Sequence, residues 1–178
     1  MNASRIDMSR HFDRRGRARG VTVIELMLVV VVLALLFTIA IPSFRNASLG
    51  ARLSAGANNL LASVQLARSE AIKRNAAMTL CASSDGVTCA ASGGWEQGWI
   101  VMDAAATVIQ RQEPLPDGYR MAQSGGTVAL NFQPIGIGAT AAVVTVCRDD
   151  PVGSQERVVT ITASGATYVS STNAGTCP

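Results

Sequence analysis

The sequence predicts an α+β fold: one long N-terminal α-helix, its first half transmembrane, packed on an antiparallel β-sheet domain. Three observations predict it. Residues 21–41 (VTVIELMLVVVVLALLFTIAI) carry a single charge, Glu25. Apolar residues then recur at helical spacing to about residue 75. Beyond Asn75, short alternating or β-branched runs are separated by turn residues.

A chain of 178 residues with 48% hydrophobic and 15% charged side chains suits one domain plus an anchor better than several domains. The formal charge of +3 belongs to the first 20 residues, where Arg5, Arg10, Arg14, Arg15, Arg17 and Arg19 face only Asp7 and Asp13. Residues 21–178 hold nine basic and ten acidic side chains, so the rest of the chain is close to neutral and offers no global attraction to nucleic acid.

The apolar run comes first among the elements. Its 21 residues rise about 31 Å as a helix, enough to cross the hydrocarbon core of a bilayer. The arginines flank it on one side only, which predicts a cytoplasmic N-terminus and an exported remainder. A cleaved secretory signal fits poorly: the run has full spanning length and continues past Pro42 into SFRNASLGARL without an A-x-A pattern. Glu25 stands out, because a carboxylate in a spanning helix is costly and is read by default as functional. It sits near one end, where snorkelling or protonation would lower the cost. A functional role needs a cation, and no basic residue lies within a helical turn on the membrane side. The partner has to come from a cut chain end or from another chain.

The helix is expected to continue over residues 42–75. Leu49, Leu53, Ala57, Leu60, Leu61, Val64, Ala67 and Ala71 form an apolar stripe, and Arg45, Arg52, Arg68, Lys73 and Arg74 fall mainly between them. Gly50, Gly56 and Pro42 are expected soft points. Strands are expected at 77–83, 98–102, 107–111, 127–132, 142–147, 157–161 and 167–170, with SSDGVTCAASGG, EPLPDGY, SGG, PIGIGA, DDPVGS and ASGA as loops.

The residues G-V-T-V-I-E-L at 20–26 resemble the class III signal of type IV prepilins and type II secretion pseudopilins. The resemblance implies a cytoplasmic leader, residues 1–20, cut after Gly20 by prepilin peptidase. Val21 becomes the N-methylated first residue of the mature chain. Glu25 becomes the fifth, its carboxylate pairing with the N-terminal amine of a neighbouring subunit during assembly. Such a pair rewards only the correctly registered docking of two helices. Thr22 and Pro42 also match, Pro42 where pilin helices commonly kink; Val21 departs, standing where phenylalanine is usual. In the second half, G-W-E-Q-G-W-I-V-M-D (94–103), N-F-Q-P-I-G (131–136) and V-T-V-C (144–147) look like the FimT/GspH family of minor pilins and minor pseudopilins. That likeness implies the type IV pilin fold, with residues 21–41 as transmembrane half, 42–75 as outer helix half and 76–178 as a periplasmic head.

Trp95 and Trp99 are expected to pack the sheet against the helix, with ligand stacking as the alternative. Of the three pairings open to Cys81, Cys89, Cys147 and Cys177 in an oxidising compartment, Cys81–Cys89 with Cys147–Cys177 is favoured, since the first closes a short turn-rich loop and the second ties down the tail. A zinc site is the rival use, but there is no C-x-x-C spacing and no exported histidine.

The one histidine, His11, lies in the leader, so a mature chain from residue 21 lacks the means for Ser-His-Asp, Cys-His or histidine-liganded metal chemistry. Asp149 and Asp150 read as a turn, and PIGIGAT leads into a strand rather than a phosphate-binding helix. No enzyme activity, cofactor or metal is expected. The resemblance implies a minor pilin of the FimT/FimU kind that enters and helps prime a type IV pilus, or minor pseudopilin H of a type II secretion system. Its partners would be prepilin peptidase, other pilins or pseudopilins and the inner membrane. Some FimT-like pilins take up DNA through a G-R-x-R element, but the comparable stretch here, ASGATYVS at 163–170, has no arginine. Arg120, Arg148 and Arg157 remain as a patch, with ion pairs to Asp149, Asp150 and Glu156 the expected use. A single-pass membrane protein unrelated to filaments is the third alternative.

Overall fold

The computed structural model describes residues 20–149, 155–175 and 177. The leader arginines, His11 and Asp150 lie outside them. One helix, α1 (Val23–Arg74), is followed by eight strands: β1 (Met78–Ala82), β2 (Trp99–Asp103), β3 (Val108–Gln112), β4 (Tyr119–Gln123), β5 (Ala129–Phe132), β6 (Ala142–Arg148), β7 (Glu156–Ile161) and β8 (Thr167–Thr172). The chain divides into two compact units, one ending at Pro42 and one beginning at Ser43.

α1 is capped by Thr22, the residue before its first, whose Oγ1 accepts the backbone N–H of Glu25 at 3.2 Å. It ends in a Schellman motif: the N–H of Ala76 donates to the Ala71 carbonyl, that of Asn75 to the Ile72 carbonyl, and Asn75 takes the left-handed turn with φ 49°. The apolar stripe closes on the core as expected, with Leu53, Ala57, Leu60, Ala67 and Ala71 fully buried. Leu61, one residue off the stripe, is only half-buried.

The strands form two four-stranded antiparallel sheets, ordered β3-β2-β1-β5 and β4-β6-β7-β8, where the sequence reading had one. The unforeseen strand is β4, placed in the sequence reading at the margin of a loop. Residues PDG at 116–118 turn the chain out of the first sheet, and Tyr119 and Met121 point inward on the second, pairing with β6 from Tyr119↔Arg148 to Gln123↔Val144. Both sheets share one core with α1: Leu80, Val101, Leu130 and Phe132 from the first, Met121, Val144, Val146 and Val159 from the second.

Gly56, read in the sequence as a soft point, is a close-approach position. It is buried within α1, and a Cβ there would stand 3.3 Å from Leu115 Cδ2 and 3.5 Å from Val146 Cγ1. The absence of a side chain lets the helix approach the second sheet. Both tryptophans are buried with their indole N–H satisfied. Trp99 Nε1 donates to Ser63 Oγ on α1 at 2.9 Å, and Ser63 Oγ donates to the Asn59 carbonyl at 3.0 Å. Trp95 Nε1 donates to the Thr127 carbonyl at 3.1 Å. Ring burial together with a hydrogen bond across to the helix is a packing role, not a ligand platform.

Cys81 is disulfide-bonded to Cys89, and Cys147 to Cys177. Strand alternation turns Cys81 and its register partner Ile100 away from the helix, yet both are fully buried. The Cys81–Cys89 loop lies over that face, with Cys89 Sγ 3.4 Å from Met102 Sδ. Asp85 organises this loop, accepting the backbone N–H groups of Val87 and Thr88 and the hydroxyls of Ser83 and Thr88. The backbone N–H of Thr88 leads the causes that hold the Asp85 carboxyl well below the ordinary Asp range, followed by that of Val87 and the two hydroxyls. A depressed carboxyl contributes stability above its unfolded value of 3.8, and that contribution is lost as pH falls toward the folded one. The melting-temperature gap between wild type and Asp85→Asn is therefore expected to stay constant at neutral pH and to narrow below the ordinary Asp range.

The second disulfide spans 30 residues and anchors the tail to β6. Replacing both Cys147 and Cys177 by serine is expected to cost about 3–4 kcal/mol, measured by denaturant unfolding of the full chain with the other disulfide intact.

Candidate assembly surface

Residues 20–22 precede α1 without helical structure and are exposed, and nothing lies within 4 Å of a Cβ built on Gly20. Thr22-Val23-Ile24-Glu25 has the spacing of a capping box, in which the carboxylate would reach back to the Thr22 N–H. Only half of that box forms. The Glu25 N–H reaches Thr22 Oγ1, but the Glu25 carboxylate accepts no hydrogen bond from any described residue. Glu25 is the acid of the first turn of α1, at the positive end of the helix dipole.

The surface that Glu25 interrupts is apolar on every side. Every large apolar side chain from Val21 to Ile41 is 45–78% exposed. Exposed patches of this extent mark a surface that another molecule covers. α1 is, by length and composition, long and apolar enough to cross a membrane. Within the described residues Pro42 is contained in α1.

From Ser43 onward the same helix is gripped by the head. Gln155 Nε2 donates to the Asn46 carbonyl at 3.2 Å, and Arg157 Nε donates to Ser54 Oγ at 3.0 Å. Arg68 was read in the sequence as one of the charges between the apolar positions. It instead clamps two turns onto α1, Nε donating to the Gly136 carbonyl at 2.9 Å and Nη1 to the Gly165 carbonyl at 3.1 Å. The sequence signal for this was faint: two glycine turns, PIGIG and ASGA, both in the left-handed region at Gly136 and Gly165. At the far end of α1, Glu70 is held below its ordinary value chiefly by the Arg74 side chain at 2.6 Å, with Lys73 adding to it.

The three arginines considered as a phosphate patch do not act together. Arg120 pairs with Asp149 at 3.2 Å and Glu96 at 3.6 Å, Arg157 is turned onto α1, and Arg148 stands over the Tyr119 ring at 5.9 Å. Among the described residues no cluster of three or more His, Cys, Asp or Glu side chains could hold a metal ion.

The sequence model of the family described as type II transport protein GspH matches residues 56–165, from the buried glycine of α1 to the turn that Arg68 clamps. The chain belongs to the GspH family. Its architecture accords with that of solved relatives. The type IV minor pilin FimU of Pseudomonas aeruginosa superposes with a TM-score of 0.53 at 21% identity, over 66% of this chain and 92% of that one. A second crystal form of FimU gives 0.53 at 20% identity, over 66% and 87%. The minor pseudopilin EpsH from the Type 2 Secretion System of Vibrio cholerae gives 0.51 at 14%, over 67% and 96%. At such identities the likeness is one of fold, and the fold is the type IV pilin fold that the sequence led us to expect. No curated protein matches the chain in sequence. As a GspH-family protein the chain is a member of the minor pilins and minor pseudopilins, a class of structural subunits rather than enzymes.

Proposed function

We propose that this GspH-family protein is a minor pilin of the FimT/FimU kind, which enters a type IV pilus and helps prime its assembly. Prepilin peptidase removes residues 1–20, the amine of Val21 is methylated, and residues 21–41 hold the subunit in the inner membrane with the head in the periplasm until it is transferred to the growing tip. The observation that carries this reading is the Glu25 carboxylate, unpaired among the described residues, in an otherwise uncharged segment, residues 21–41, whose large apolar side chains are all exposed. A cation at the same depth on a neighbour completes it, and the new amine of an adjacent subunit lies four residues before its own Glu25.

A second reading, minor pseudopilin H of a type II secretion system, is favoured by the description of the matching family. The two differ in phenotype: deleting the gene is expected to abolish twitching while leaving exoprotein release intact, and the reverse result assigns the chain to secretion. The intact mass of the membrane-extracted subunit tests the shared part, with residues 21–178 plus one methyl group expected. DNA uptake has less support, because the turn at 163–166 carries no arginine of its own and its flanking cation, Arg68, is spent on backbone carbonyls.

A further inference from the structure

We propose that the head carries an anionic-phospholipid site at the foot of its helix, formed by Arg45, Arg52 and Arg148. This rests on the reading that residues 21–41 span the inner membrane. The three arginines surround a concavity of about 410 Å³ whose other lining residues are Phe44, Ser48, Leu49, Asp117 and Tyr119. Arg45 and Arg52 stand seven residues apart on one face of α1, both exposed, and neither makes a hydrogen bond or ion pair with any described residue. Arg148 arrives from the end of β6, over Tyr119. Among the described lining residues Asp117 is the one acid.

The lining is amphipathic. Leu49 and Tyr119 form a buried apolar floor, and Phe44 is 76% exposed beside the arginines. A free phosphate or a DNA backbone would use the cations and leave Phe44 in water. A phospholipid uses both parts, the phosphate against the guanidinium groups and the glycerol and upper acyl chain against the ring. Position agrees. In sequence, Arg45 follows Ile41, the last residue of the proposed span, by only four residues. The site holds the waiting subunit at a fixed depth, and it must release its lipid when the subunit is drawn into a filament.

The full chain in zwitterionic micelles, titrated with phosphatidylglycerol or phosphatidylcholine and examined by native mass spectrometry, tests this. Wild type is expected to retain phosphatidylglycerol in preference to phosphatidylcholine. Arg45→Gln with Arg52→Gln is expected to weaken phosphatidylglycerol retention about thirtyfold, each arginine at an anionic surface contributing a factor of about five. Both positions are exposed, so folding is not at stake, and Arg45→Lys with Arg52→Lys should keep most of the retention. Equal retention by the glutamine variant overturns the site. Displacement of the lipid by inorganic phosphate at matching concentration makes it a free-anion site, and displacement by a short DNA duplex makes it a nucleic-acid site; either overturns the lipid. Carbonate extraction separates this from the underlying reading. A chain released from cell membranes removes the anchor and the lipid site together, whereas a chain that stays embedded without arginine-dependent retention removes the lipid site alone.

Discussion

Trp99→Ala is expected to destabilise the head by about 3–5 kcal/mol, the range for truncating a large buried aromatic. The ring is 1% exposed, at the start of β2, and forms part of the core shared by α1 and both sheets. Its indole N–H is also the side-chain hydrogen bond from the first sheet to the middle of α1, through Ser63 to the Asn59 carbonyl. Ser63 keeps its own acceptor in the variant, so the loss is mainly volume and apolar contact. Trp99→Phe separates the two contributions: it retains most of the packing and gives up the hydrogen bond, for a smaller loss of about 1 kcal/mol from that bond. Denaturant unfolding of the full chain, followed by the remaining Trp95 fluorescence, measures both.

With the proposed cut after Gly20, Gly20→Glu is expected to abolish incorporation into filaments, for an electrostatic reason. While the leader is attached, the nitrogen of Val21 is an uncharged amide, and Glu25 of the neighbour has no cation to meet. Residues 1–20 also carry six arginines against two aspartates. Because Gly20→Glu and Glu25→Ala remove opposite halves of one interaction, their effects on incorporation are not additive: the double variant is expected to behave like either single one. Intact mass of the membrane-bound subunit, alongside the amount recovered in sheared filaments, checks both parts.

The helix, its buried stripe and most strands could be read from the chain because each rests on local periodicity. Leu53, Ala57, Leu60, Ala67 and Ala71 repeat at helical spacing, and A-V-V-T-V-C alternates at strand spacing. β4 could not be read, since Y-R-M-A-Q offers only two inward apolar positions and follows a proline-aspartate-glycine turn; its partner β6 lies more than twenty residues away. The division into two sheets is likewise a matter of long-range pairing, with β5 returning to β1 after β4 has left for β6. Arg68 had the look of a solvated charge because its acceptors, the carbonyls of Gly136 and Gly165, are 68 and 97 residues distant. Gly20, Val21 and Glu25 stand out in the sequence only through a resemblance, and their role is a proposal, whereas the half-formed capping box at Thr22 needed coordinates. The pocket of Arg45, Arg52 and Arg148 was hidden for the same reason as β4, because Arg148 reaches α1 only through the fold.

The central claim is that Glu25 is kept in an apolar helix to meet the amine of an adjoining subunit. The most direct measurement compares Glu25→Ala with wild type, expressed at equal membrane levels, by the fraction recovered in sheared filaments. Loss of a close charge pair in low dielectric is expected to reduce incorporation by more than about tenfold. Recovery at the wild-type level would contradict the account.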